Sequence, residues 1–361
     1  MNLWKRSAAM IIFIGGMASG FAQQMPPIPT DPNVRIGKLE NGLTYYIRHN
    51  ELPENQADFY IAQKVGSILE EDNQRGLAHF LEHMCFNGTT NYPGNLLREY
   101  LETIGVKFGA NLNAYTSIDE TVYNISNVPV ARETVIDSCL LILHDWANDL
   151  TLDHEEIDKE RKVIHEEWRT RTGAMMRMYE KVFPIMFKDS KYAYRLPIGT
   201  MEVVDNFPYQ ALKDYYEKWY RPDQQGIIVV GDVDVNKVEE KIKKMFSPIE
   251  MPANAAERVY FPVPDNDEPL IAVAKDKEQQ VPIIYLFYKH EVVPDEMKNN
   301  MGYLAMNYMT SMISNMLNAR LSELTQKPQP PFIQAFADDG IYLLAKTKGC
   351  LLYTSPSPRD R

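Results

Sequence analysis

The sequence predicts an α+β fold of two similar sandwich units, each a mostly antiparallel sheet packed against helices. Three observations carry this. A strand, strand, long-helix order opens near residue 34 and begins again near residue 268. Between the two runs, residues 251–267 hold Pro252, Pro262 and Pro264 among charges, the pattern of a linker. The 361 residues, 45% apolar and 24% charged, are enough for about two cores and unlike a disordered or collagenous chain.

The elements follow in order. Residues 34–50, VRIGKLENGLTYYIRHN, alternate on either side of Asn41-Gly42, a dipeptide that favours a type I′ hairpin turn. ADFYIAQKVGSIL (57–69) reads as a strand, QRGLAHFLEHMCF (74–86) has helical spacing, and a further helix is expected over 95–104. GANLNAYTS (109–117) and ETVYNISNV (120–128) read as adjacent strands, followed by helical stretches over 131–150 and 154–181. A helix over 209–218, the apolar strand QGIIVVGDV (225–233) and the amphipathic helix VNKVEEKIKKMF (235–246) close the first unit, 34–250. In the second unit, 268–348, PLIAVAKD (269–276) and PIIYLFYKH (282–290) resemble strands, and a helix runs over 295–324.

The two ends read differently. Lys5 and Arg6 precede an apolar run from Ala8 to Ala22, with small residues at Gly20 and Ala22, the layout of an export signal cleaved after residue 22. The run is too short and too glycine-rich for a membrane anchor, and no later segment reads as a span. This predicts an exported protein, periplasmic in a Gram-negative bacterium or else secreted, with no stable membrane span after cleavage. After Lys348 the text GCLLYTSPSPRDR loses helix and strand periodicity, so residues 349–361 read as a non-native tail. Three cysteines, Cys85, Cys139 and Cys350, make neither a disulfide framework nor a thiolate zinc site. The net charge of −11 repels phosphate backbones and argues against a nucleic-acid partner.

The informative feature is His79-Phe80-Leu81-Glu82-His83. Positions i and i+4 share one helix face, so both imidazoles can point at a single ion. Zinc held by two imidazoles and a carboxylate keeps an open position for water, whose proton the adjacent Glu82 can take and pass to a leaving amine. With seven histidines in the chain, the pattern arises by chance about once in a hundred such sequences. A third ligand is sought in KERKVIHEEWR, where Glu160 and Glu167, at i and i+7, share a face. One of them can bind the ion while the other orients a ligand histidine. Glu156 and Glu166 lie on other faces and read as solvated.

HFLEHMCFNGTTNYPG, GANLNAYTSIDETVY, EIDKERKVIHEEW and WYRPDQQGIIVVGDVD together resemble the successive landmarks of the M16 metallopeptidases (pitrilysin, insulinase, mitochondrial processing peptidase), the inverzincins. The resemblance runs from about residue 34 to 250, with a weaker match to about 348. It implies the two-layer fold of the processing peptidase in both units, the second unit incomplete and non-catalytic. It implies one zinc ion bound by His79, His83 and Glu167, with Glu82 as general base and Glu160 holding a ligand histidine. Asn113, Ala114, Tyr115 and Thr116 match the edge strand on which an extended peptide pairs through its backbone. The expected activity is zinc-dependent endopeptidase hydrolysis of oligopeptides or unfolded polypeptides. Family peptidases enclose their substrate between two halves, and this chain resembles the first. The alternative expectation is therefore an inactive or half-site peptide-binding subunit that needs a partner half. A metal store is disfavoured, because Glu82 is placed for base work rather than as part of an all-ligand cage.

Overall fold

The computed structural model describes residues 26–345 and 348–354. The expected export signal at 1–22 lies outside the described residues, as do residues 355–361 of the expected tail. The chain forms two compact units. The larger holds Asp31–Pro264 and 268–274; the described part of the smaller holds 26–30, 265–267 and the residues from Lys275 onward.

In the larger unit the strands are β1 (Val34–Lys38), β2 (Thr44–His49), β3 (Gln56–Gln63), β4 (Leu112–Thr116), β5 (Thr121–Pro129) and β6 (Gln225–Gly231). They form one sheet in the order β1-β2-β6-β3-β5-β4, antiparallel throughout except for the parallel pair β2/β6. A parallel pair needs a long crossover. Here it spans residues 50–224 and carries most of the helices: α1 (Leu77–Met84), α2 (Leu96–Thr103), α3 (Glu133–Asn148), α4 (His154–Arg171), α5 (Ala174–Met186), α6 (Met201–Asn206) and α7 (Tyr209–Trp219), with α8 (Val235–Phe246) after β6. β3 and β6 alternate buried and half-buried residues along their whole length, so one sheet face is the core face. Phe59, Ile61, Tyr123, Ile125, Ile227 and Val229 line it, and Trp146 of α3 packs on Tyr123 with ring centroids 5.3 Å apart.

Four local expectations are corrected. The strand expected over 57–69 ends at Gln63, and Ser67–Leu69 make a short 3-10 turn instead. The β1/β2 hairpin forms, but only Gly42 of the pair Asn41-Gly42 has a positive φ (+98°), so the turn is not type I′. The loop spans 39–43, and Asn41 spends its amide on the carbonyls of Phe246 (2.8 Å) and Ile249 (2.9 Å). The helix expected over 154–181 breaks at Thr172-Gly173 into α4 and α5. Among the described residues, 269–276 form no strand and join neither sheet, and Val273 is 89% exposed. The proline-rich stretch read as a linker lies on the larger unit as far as Pro264. Arg221 donates to the Ala256 carbonyl, Arg258 pairs with Asp119 (3.2 Å) and Ser190 donates to the Pro262 carbonyl (2.8 Å).

The smaller unit contains β7 (Ile284–His290), α9 (Asp295–Lys298), α10 (Met301–Thr325), β8 (Ala335–Ile341) and β9 (Lys348–Thr354), with an antiparallel sheet ordered β7-β9-β8. The expected single helix over 295–324 is interrupted at Asn300, whose side chain caps α10 by accepting from Tyr303 N (2.9 Å). The stretch from Lys348 to Thr354, read as lacking periodicity, is the middle strand of this sheet. Its backbone is paired on both edges, by β7 and by β8.

Candidate metal centre and active site

α1, LAHFLEHM, buries every residue but His83, which is half-buried. A helix of eight residues is marginal alone, so its ends are held by tertiary contacts. At the N-terminus, Glu70 Oε1 accepts from Gly76 N (3.1 Å) and Ala78 N (2.8 Å). Burial pushes the Glu70 carboxyl up to about 8 despite these two donors. Gly76 sits at φ +106°, and a Cβ there would come within 3.2 Å of Gly199 Cα. At the other end, Trp146 Nε1 donates to the Cys85 carbonyl (2.8 Å).

α4 is started by Asp153, which accepts from Glu155 N (2.8 Å) and Glu156 N (3.2 Å). Its inward stripe of Ile157, Glu160 and Ile164 continues to Glu167. Arg161 bolts the helix to α6 through the carbonyls of Val204 and Phe207, its guanidinium 3.9 Å from the Phe207 ring.

Between the two helices five of the sequence-predicted residues meet. His79 Nε2 lies 3.6 Å from Glu167 Oε1, and His83 Nε2 lies 3.4 Å from Glu167 Oε2. Two ligands each about 2.0–2.1 Å from a tetrahedral zinc stand roughly 3.3–3.4 Å apart. These three side chains therefore fit that ion in donor type and spacing, with ligand atoms all within 4.8 Å of one another. His83 Nδ1 is 2.7 Å from Glu160 Oε1. A carboxylate only accepts, so Nδ1 carries a proton, and it is through Nε2 that a neutral His83 would offer its lone pair to a metal ion.

The electrostatics are divided. Burial disfavours the His83 cation, but the hydrogen bonds to Glu160 and Glu167 outweigh it and lift the imidazole to about 9. Burial and the His83 charge depress His79 to about 4, and its Nδ1 is buried without a partner among the described residues. The hydrogen bond from His83 holds Glu167 below the usual carboxylate range; Arg171 also reaches Glu167, at 2.6 Å. Glu160 is lowered too, because His83 and Asn87 outweigh its burial. Glu82 goes the other way: burial raises it, while Thr116 Oγ1 donates to its Oε2 (2.5 Å).

Of the four edge-strand residues, Thr116 is the one whose side chain hydrogen-bonds to a predicted catalytic group. The Asn113 amide faces the carbonyls of Gly109 (3.2 Å) and Leu112 (3.3 Å), and the Tyr115 hydroxyl donates to Glu120 (3.0 Å). β4 is an edge of the sheet, paired with β5 and bridged at Leu112 by Phe108; beyond that bridge one side of its backbone is unpaired among the described residues. Residue-by-residue reading missed Asn87 and Glu70. Asn87 was findable, since it extends the His79, His83 spacing by four more residues. Glu70 carried no local signal, because what it caps lies six and eight residues on.

Two other features draw attention without belonging to this site. His144, Asp145 and Asp149 cluster, but the Asp145 carboxylate is occupied by Thr89 Oγ1 (2.5 Å), Asn91 N (3.1 Å) and Asn91 Nδ2 (2.7 Å), a structural role. A cavity of about 570 Å³ lined by His154, Tyr209, Lys213, Tyr220 and Arg221 contains none of the candidate residues.

Residues 46–196 match the family model described as insulinase (peptidase family M16), and residues 206–329 match the one described as the peptidase M16 inactive domain. The chain belongs to the M16 peptidase family. A curated M16 relative, the probable zinc protease PqqL of Escherichia coli, is 36% identical over 300 residues, 83% of this chain and 32% of that protein. The crystal structure of the periplasmic protease PqqL from Escherichia coli superposes with a TM-score of 0.78 at 32% identity, covering 93% of this chain and 36% of that one. The structure of the first half of the same protease gives 0.76 at 31% identity, covering 92% and 70%. The chain thus spans about a third of the length of the curated M16 relatives it matches.

Proposed function

We propose that this M16 chain carries the catalytic site of an exported, periplasmic zinc metalloendopeptidase that cleaves oligopeptides or unfolded polypeptides. The observation that supports it is the meeting of His79 Nε2, His83 Nε2 and the Glu167 carboxylate beside Glu82, on two helices anchored independently. In this reading His79, His83 and Glu167 hold one zinc ion and Glu160 orients His83. Bound there, zinc supplies Lewis-acid chemistry, acidifying a water toward a pKa of about 7 and polarising the peptide carbonyl.

The rest falls to the chain's own groups. Glu82 takes the water's proton; with Oε2 held by Thr116, Oε1 is the receiving atom, and the raised carboxyl then gives the proton to the leaving amine. A peptide laid along β4 as an added strand brings its carbonyl past this group. Recognition through backbone hydrogen bonds makes extended, unfolded segments the substrate class. Glu82→Gln is expected to keep zinc and to lower peptide cleavage by about 10³-fold, within the range of general-base contributions. Zinc retention with unchanged cleavage overturns the role of Glu82. The length of the relatives favours a second reading, in which the site needs a partner half. Cleavage that appears only when that half is added supports it.

A further inference from the structure

Glu160 does not stand alone behind His83. Its Oε1 is taken by His83 Nδ1 (2.7 Å), and its Oε2 accepts from Asn87 Nδ2 (2.5 Å). The Asn87 amide has its own fixed direction, because Arg98 Nη2 reaches Asn87 Oδ1 (3.4 Å) and a guanidinium can only donate. With Oδ1 turned to Arg98, Nδ2 must face Glu160. Arg98 is itself confined: its guanidinium carbon lies 4.5 Å from the centroid of Phe108 and 5.8 Å from that of Phe86, and its Nε is buried. The four groups form a chain that meets at Glu160: Arg98 donates to Asn87, Asn87 donates to Glu160 Oε2, and His83 Nδ1 donates to Glu160 Oε1 from the metal side.

A local-turn explanation of Asn87 does not fit. An asparagine after a helix commonly bonds its own neighbouring backbone. The Asn87 side chain instead reaches across 73 residues of sequence, to Glu160 on α4.

We propose that Asn87 and Arg98 are positioning residues that fix the Glu160 carboxylate on His83 and thereby set the affinity for zinc. The proposal rests on the zinc reading above. Partners one step behind a metal ligand are worth roughly 10–100-fold in affinity. Asn87, acting through Glu160, belongs at the lower end. Arg98 is one step further out and contributes a few-fold.

The test is zinc affinity itself, measured on the full chain by competition with a chromogenic chelator. Asn87→Leu, similar in volume but unable to hydrogen bond, is expected to weaken zinc about tenfold. Asn87→Asp, which sets a carboxylate against Glu160, is expected to weaken it further. Arg98→Met keeps the packing on Phe86 and Phe108 and loses the donor; a few-fold weakening is expected, and Arg98→Lys should restore affinity to within about twofold. Should Asn87→Leu not fold, Asn87→Ser carries the same expectation. An Asn87→Leu protein with zinc affinity within twofold of wild type overturns the inference and leaves the zinc reading intact. Equal losses from Arg98→Lys and Arg98→Met reduce Arg98 to packing and overturn its part. A wild-type chain that binds no zinc brings down the zinc reading, and this inference with it.

Discussion

α1 and α10 are opposite solutions to making a helix. The first has eight residues, seven of them buried, and is held at both ends by groups distant in sequence. The second has 25 residues, none of them buried, with Leu304, Tyr308, Met312 and Met316 all exposed. The long helix has length, an N-cap of its own and a tie to β8 through Asn318 and Ala337, whereas the short one depends on its surroundings at both ends. The candidate chemistry sits on the helix that cannot move independently, as a site needing fixed ligand geometry requires.

The sharpest way to break this contrast is at the Trp146 anchor. Trp146→Ala empties a fully buried position and frees the Cys85 carbonyl, and should cost about 4 kcal/mol in chemical denaturation. A cost below about 1 kcal/mol would mean that α1 does not rely on this support.

Next comes Glu70. Its folded-state value of about 8 lies above the ordinary 4.5, so the folded state holds the proton more tightly and stability should fall as pH rises from about 4.5 to 8. Glu70→Gln keeps an acceptor for Gly76 and Ala78 and should flatten that slope when unfolding is measured at pH 5 and pH 8.

Thr116→Val, nearly the same shape, removes the donor to Glu82; about a tenfold fall in kcat/KM is expected with the melting temperature little changed. The smallest effect belongs to α10. Met312, 46% exposed, should cost less than about 0.5 kcal/mol on replacement by Ala. A cost comparable to that of Trp146→Ala would show that the α10 face is covered in the protein as it works.

Much of this was legible in the sequence. Periodicity placed the helices that carry the motif and the glutamate pair, and i, i+4 and i, i+7 spacing put the right side chains on the inward faces. Most strand limits in the first unit came through for the same reason, since one buried face enforces alternation; the strand read over 57–69 is the exception, ending at Gln63. The failures have physical causes. Residues 269–276 alternate like a strand but join neither described sheet, and no local pattern reports whether a neighbouring strand is there to pair with. The Asn41-Gly42 dipeptide lost its usual turn because distant carbonyls of Phe246 and Ile249 took the asparagine side chain. Thr116 was read for its place on the edge strand; that its hydroxyl also lies on Glu82, 34 residues away in sequence, had no local signal.

The contact between Gly76 and Gly199 has an evolutionary reading. A Cβ on Gly199 would stand 2.3 Å from Gly76 Cα and from the Arg75 carbonyl, so neither position accepts a side chain while the other backbone stays in place. In a saturation scan both should be intolerant singly. In combination they should be strongly non-additive, because the first substitution already forces apart what the second would disturb. The loop around residue 199 and the helix bearing His79, Glu82 and His83 therefore drift together through sequence space, an epistatic pair whose members lie more than a hundred residues apart.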